Sequence, residues 1–307
     1  MTVCIAAMFE GNAIIGTSDR MLTSGDIQFE PQQSKIIQVT SSIFIMVAGD
    51  SAMQSEIIQN VRADVNKRIS ENPDNWWNVK DVADLYIRYY SETRFKKAER
   101  IFLFPLGLDN NMFISKQKEM DSSLVRQITT ELINYETPRI STIFAGIDNS
   151  GAHIYVADNE TLNCLDLVGF AAIGVGSWHA SSQMMFAGHT KFKAFPETLL
   201  LVYSAKKRAE VAPGVGESTD MFIVGPTLGY NIAIGDHVLD QLKKTYELEQ
   251  ERERDAKTTA KQSIKEYVEE LLSKSVVAKD QATITIPDGG GEASPDEKKS
   301  GNAPQKG

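Results

Sequence analysis

Two short runs open the chain in which apolar and β-branched residues crowd or alternate, Thr2–Phe9 and Ala13–Thr17, separated by Glu10-Gly11-Asn12. Such runs around a Gly-Asn turn predict a β-hairpin. After a polar stretch, Lys35–Val39 and Ile43–Ala48 predict a second hairpin around Thr40-Ser41-Ser42. At Gly49-Asp50-Ser51 the period changes. Met53, Ile57, Ile58, Val61, Val65 and Ile69 recur at helical spacing with Pro73 just beyond, and Val82, Leu85, Tyr86 and Tyr89 mark a second helix over Val79–Arg100. Residues 101–136 hold only short apolar runs and one predicted helix, Leu124–Ile133. Strands return at Ser141–Ile147, His153–Asp158 and Leu165–Ile173, followed by helices at Ala180–Ala187 and Pro196–Glu210 and strands at Met221–Val224 and Tyr230–Ile234.

This succession predicts an α+β fold of two antiparallel sheets faced by helices. It ends near residue 235. Beyond that point Val238, Leu239, Leu242 and Tyr246 form a helical stripe, Glu247–Lys261 is almost wholly polar, and a second stripe follows at Ile264, Tyr267, Val268, Leu271 and Leu272. Residues 287–307 contain no Val, Ile, Leu, Met or aromatic residue, so they cannot bury enough to offset their ordering entropy. The expected organisation is a main domain over 1–235, a helical extension over 236–276 and a disordered tail over 277–307. The second stripe is expected either to dock on a neighbouring subunit or a partner or to fold back onto its own sandwich.

Composition removes several functions. The net charge of −9 leaves no basic surplus to neutralise phosphates or to seek an anionic membrane, so neither nucleic acid nor membrane is an expected partner. No stretch has the order of a secretory signal, and no apolar run is long enough to span a bilayer, which points to a cytoplasmic protein. Cys4 and Cys164 sit in apolar runs without metal-type spacing and are both expected as buried thiols. The histidines (His153, His179, His189, His237) show no H-E-x-x-H pattern, so no metal is expected, nor any cofactor. The run Gly174–Ala180, GVGSWHA, lacks the third glycine of a dinucleotide site and the lysine of a phosphate loop.

The remaining candidate chemistry lies at the N-terminus. Thr2 follows Met1 directly, and removal of that methionine would leave a free amine beside a hydroxyl, a base and a nucleophile in one residue. Thr2, SDRMLT at Ser18–Thr23, Lys35 in SKIIQV and VAGD at Val47–Asp50 occur in an order that resembles proteasome β-type subunits, members of the N-terminal nucleophile hydrolases. AIGVGSWHA (Ala172–Ala180) and TDMFIVG (Thr219–Gly225) resemble the second half of the same family. The likeness covers about residues 2–235 and is weakest through 101–140.

The resemblance implies a bacterial-style proteasome-like threonine peptidase with a four-layer αββα sandwich, assembled as a homo-oligomeric ring or stacked rings and acting on peptides or unfolded proteins. It implies Thr2 as nucleophile, Asp19 and Lys35 as its supporting charges, and Gly49 as the oxyanion donor. It places the first substrate pocket near Leu22, Gln33, Val47 and Ser51, with Thr23 pairing the substrate backbone. That uncharged pocket leads us to expect cleavage after neutral residues. The chain departs from the family at three places: Ser18 competes with Asp19 for the acidic position, Val175 stands where a serine is usual with Ser177 nearby, and Ala209 replaces an acid with Glu210 adjacent.

Elementary chemistry fits these roles. An α-amine with an ordinary pKa of about 7.7–8.0 needs only a modest push to be neutral at working pH, and a neighbouring cation supplies it. Taken singly, Lys35 and Asp19 read as solvated surface charges and Gly49-Asp50 as a turn. Only their joint occurrence with Thr2 favours catalysis. Two other readings share parts of the pattern: a non-catalytic subunit of a proteasome-like assembly, and an amidase for small molecules. The catalytic reading requires that Met1 be absent from active protein. Intact-mass measurement should find the chain beginning at Thr2, and activity from protein that fully retains Met1 would contradict it.

Overall fold

The computed structural model of the chain describes residues 2–24, 27–73 and 75–281. Its first half contains β1 (Cys4–Phe9), β2 (Ala13–Ser18), β3 (Leu22–Ser24), β4 (Ile27–Phe29), β5 (Ile36–Gln38) and β6 (Ile43–Gly49), then α1 (Ser51–Glu71), α2 (Val79–Phe102), α3 (Asn110–Lys116) and α4 (Ser122–Ile133). The second half contains β7 (Ile140–Asp148), β8 (Gly151–Asp158), β9 (Thr161–Cys164), β10 (Phe170–Ile173), α5 (Ser177–Phe186), α6 (Phe195–Ala209), β11 (Asp220–Val224), β12 (Asn231–Ala233) and α7 (Asp236–Gln281). Among the described residues the fold is α+β. One antiparallel sheet runs β10-β1-β2-β11-β12, a second runs β5-β6-β7-β8-β9, and β3-β4 form a small pair.

The strands nearest the N-terminus read as continuous apolar runs because both of their faces are covered. In β1, Ile5, Ala7 and Phe9 join a core with Val202, Tyr203 and Ala205 of α6, while Cys4, Ala6 and Met8 join a different core with Phe44 and Met46 of β6 and Ile143 of β7. The period of two thus divides one strand between two cores. Strand β6 is divided in the same way: Ile43 and Ile45 pack with Ile57, Val61 and Val82 of α1 and α2, and Phe44 and Met46 face the other core. Gly16 on β2 leaves space for the Phe222 ring, which stacks on Phe44 with centroids 4.3 Å apart; a Cβ at residue 16 would lie 1.9 Å from that ring.

The structure differs from the pattern in three places. Of the strand expected at Leu165–Ile173 only Phe170–Ile173 (β10) is formed; residues 165–169 turn the chain from β9 in one sheet to β10 in the other, with Gly169 at φ of 78°. Cys164 is exposed: it ends β9, an edge strand of which only Leu162 is even partly buried. Within the polar loop after β2, Leu22–Ser24 pairs with Ile27–Phe29, a contact too short to leave a periodic signal.

Two compact units divide after Glu247. In the first, Val238, Leu239, Leu242 and Tyr246 on the opening turns of α7 pack against the core formed with α6. In the second, the helix continues through the polar stretch to Gln281. Four-residue-spaced pairs line it: Lys257 with Glu253 at 2.7 Å, Gln262 with Glu266 at 2.8 Å and Lys274 with Glu270 at 2.6 Å. Ile264, Tyr267, Val268, Leu271 and Leu272 are exposed on it. From residue 282 onward the expected disordered tail lies outside the described residues.

Truncation tests this division. A chain ending after Glu247 should keep its urea midpoint, because the first unit retains all of its packing. A chain ending after Gly235 loses Leu242 and its neighbours from the core and should lose at least about 3 kcal/mol.

Candidate active site

Thr2 immediately precedes β1, and β1 has β10 on one side and β2 on the other. Thr2 therefore enters the middle of a sheet, and it is only 2% exposed. On the β2 side, the Asp19 N–H donates to the Val3 carbonyl at 3.2 Å, so the chain is still paired where the ladder ends. The Asp19 carboxylate turns back across this pair. Its Oδ1 accepts from the Val3 N–H at 2.9 Å, from the Thr2 hydroxyl, and from Lys35 Nζ at 2.9 Å. Lys35 Nζ also donates to Thr2 Oγ1.

Lys35 is placed by β6, whose Val47 N–H donates to the Lys35 carbonyl at 3.4 Å. The lysine is 8% exposed and Asp19 fully buried, a pair that holds only if further hydrogen bonds satisfy the charges. Those bonds are present. Asp19 Oδ2 accepts from the Met21 N–H at 2.9 Å and the Gly216 N–H at 3.1 Å. Ser18, the alternative to Asp19, does not reach Thr2: its Oγ is buried and makes no hydrogen bond among the described residues.

On the β10 side the chain comes very close. A Cβ at Gly174 would lie 2.3 Å from the Thr2 carbonyl oxygen and 2.7 Å from Thr2 Cγ2, and Gly174 has φ of 89°. Only glycine allows this approach. Next to it the Gly176 N–H donates to the Thr2 carbonyl at 3.2 Å. Gly49 closes the site from β6 with φ of 110°, and a Cβ there would sit 2.3 Å from the Arg139 carbonyl oxygen.

Thr2 borders two cavities. One of about 380 Å³ is lined by Leu22, Thr23, Phe29, Lys35, Val47 and Ser51, among others. The other, of about 680 Å³, includes Arg139, Val156, Asp158, Ile173, Val175 and Trp178. Thr2, Ala48 and Gly49 line both. Of the pocket positions expected from sequence, Leu22, Thr23, Val47 and Ser51 line the smaller cavity; Gln33 is exposed and does not. Chain direction explains this: Gln33 lies on the irregular approach to β5, outside any strand that would aim it inward.

Several contributors escaped sequence reasoning. Gln54 lines the smaller cavity and is 2% exposed; its amide donates to the Ala48 carbonyl at 3.3 Å and its oxygen accepts from Tyr86 Oη at 2.7 Å. Thr142 Oγ1 completes this network with Tyr86 Oη at 2.9 Å, fixing the strand end that carries Gly49. A buried glutamine beside an apolar helical stripe was the available signal. Met21 and Gly216 act through backbone N–H groups, which leave no mark on residue type. Glu210 faces Lys206 and Lys207 rather than Thr2.

Neither a family model nor a curated protein matches this chain. Among the described residues no group of three His, Cys, Asp or Glu side chains could hold a metal ion, and no helix is long and apolar enough to cross a membrane.

What the site offers chemically is one hydroxyl beside one cation and one anion, with adjoining space for a ligand. A rival nucleophile is close by but silenced. Burial pushes the Cys4 thiol up to about 12, with Asp19 adding to the shift and Lys35 opposing it. An aromatic disulfide reagent should accordingly label Cys164 rapidly in the native protein and Cys4 only on unfolding. Equal rates at the two thiols would contradict the buried position of Cys4.

Proposed function

We propose that this chain is a threonine-type N-terminal nucleophile peptidase of the proteasome β-type kind, working as a homo-oligomer on peptides or unfolded proteins. The observation that carries the reading is the meeting of Thr2 Oγ1, Lys35 Nζ and Asp19 Oδ1 at the point where two cavities join. The three clusters of buried residues, one between the two sheets and one on the outer face of each, support the four-layer αββα sandwich that goes with it.

The chemistry follows from the groups present. With Met1 removed, the Thr2 amine takes the proton of Oγ1, and Oγ1 forms a bond to the substrate carbonyl carbon. Lys35 beside the hydroxyl favours the neutral amine and stabilises the developing alkoxide. The carbonyl oxygen gathers negative charge and accepts a hydrogen bond donated by the Gly49 N–H. Collapse of this adduct breaks the C–N bond, and the departing amine takes the proton held by the Thr2 ammonium. Water, deprotonated by the same amine, then releases the acid and restores the Thr2 hydroxyl. Asp19 keeps Lys35 aimed at Thr2 throughout.

Space on both sides of Thr2 favours a chain-like substrate over a small amide, since a mid-chain bond needs room for both its acyl and its leaving part. Peptide and simple amide panels test this directly. Thr2→Ala should abolish peptide hydrolysis, and Lys35→Ala should reduce kcat by about 10²–10⁴-fold, with both folds intact by circular dichroism. Wild-type turnover by folded Thr2→Ala would sink the proposal, and hydrolysis confined to small amides would replace the peptidase by an amidase.

A further inference from the structure

We propose that Lys206 is a positioning residue for the nucleophile: its ammonium group holds the segment that presents the Gly216 N–H to Asp19, and through Asp19 it sets the Thr2 hydroxyl. This rests on the reading of Thr2 as the nucleophile. Lys206 lies on α6, and its side chain is fully buried. Nζ donates to the Gly216 carbonyl at 2.9 Å, the Glu217 carbonyl at 2.8 Å and Glu210 Oε1 at 2.5 Å. An ammonium has three protons, and here each has its own acceptor.

The segment between α6 and β11 has no regular structure around these residues, so its backbone groups depend on side chains for partners. Other contacts hold its later part. Ser218 Oγ donates to Glu30 Oε2 at 2.6 Å, and Arg20 donates to Asp220 at 2.6–3.1 Å. At Gly216 itself the chain runs so close to Glu30 that a Cβ would meet Oε1 at 1.7 Å. Lys206 holds the two carbonyls on the C-terminal side of this glycine, Glu30 accepts from the Ser218 N–H at 3.3 Å, and the Gly216 N–H faces Asp19 Oδ2 at 3.1 Å.

An apolar side chain of similar length would occupy the same space without the desolvation cost of a charge. Burial indeed drives the Lys206 ammonium toward deprotonation, with the Glu210 contact opposing it. What an apolar residue lacks is the means to hold three oxygens at once. Lys206→Met is a mild replacement on the acidic side, because Glu210 keeps Lys207 at 2.8 Å.

The experiment compares wild type, Lys206→Met and Ser218→Ala, the last removing the hydroxyl bond to Glu30 from the same segment while the Ser218 N–H still donates to Glu30 Oε1 at 3.3 Å. Lys206→Met should lower kcat by about tenfold to a hundredfold while KM stays within about twofold, the signature of misplacement rather than lost substrate binding. In a Thr2→Ala background, where turnover plays no part, the same change should move the Gly216 amide resonance away from its carboxylate-bonded position. Ser218→Ala should cost stability yet leave both kcat and that resonance in place. A folded Lys206→Met with wild-type kcat, or an equal kcat loss in Ser218→Ala, overturns the proposal. Where Lys206→Met does not fold, Lys206→Gln is read the same way, wild-type kcat with an unmoved Gly216 amide again overturning it. Activity retained by Thr2→Ala alone would instead defeat the peptidase reading, while the amide still reports the contact.

Discussion

One buried carboxylate holds the site together. Asp19 is fully buried and accepts from the Thr2 hydroxyl, the Lys35 ammonium and the backbone N–H groups of Val3, Met21 and Gly216. These donors come from chain segments as far apart as residues 2 and 216, so the carboxylate is where the start of the fold and its last third are joined. An ionised group this deep is tolerable only when both oxygens are saturated. Loss of any one donor therefore acts on all the others through the same two atoms. The glycines at 174 and 49 serve a complementary end, since each admits backbone into space that a Cβ would fill.

The sheet order explains why these groups gather at Thr2. Most termini fray at edges, but β1 is flanked by β10 and β2. Its first residues are confined from both sides before any side chain is considered. The second sheet then contributes the end of β6, with Gly49, and the start of β5, with Lys35. Behind them, Gln54, Tyr86 and Thr142 exchange hydrogen bonds in an otherwise apolar core. A saturated polar network of this kind resists sliding better than a greasy contact would.

Much of this was legible in the residues. The apolar runs of β1 and β6 foretold strands, and the stripe from Met53 to Val65 foretold α1. Thr2, Asp19 and Lys35 were picked out by the resemblance of their motifs to those of a known family; taken singly, each charge reads as a surface residue. Cys164 was misplaced, since an edge strand with one apolar face reads much like a buried one. The break between β9 and β10 turns on the positive φ of Gly169, which a strand-like pattern conceals. Gly216 and Met21 were invisible for a deeper reason: every residue but proline carries an N–H, so a site built on backbone donors appears only once the chain is folded.

The burial of Thr2 has a consequence for timing. With β1 between its neighbours Thr2 is only 2% exposed, so the release of its amine is proposed to come before the sheet closes. The partner on the β10 side, Phe170–Ile173, is made long after β1 and β2 can pair. At a synthesis rate of about 5–20 residues per second, the terminus waits roughly 10–30 s for that strand. Maturation would thus be a race during translation, won because the topology delays its own completion.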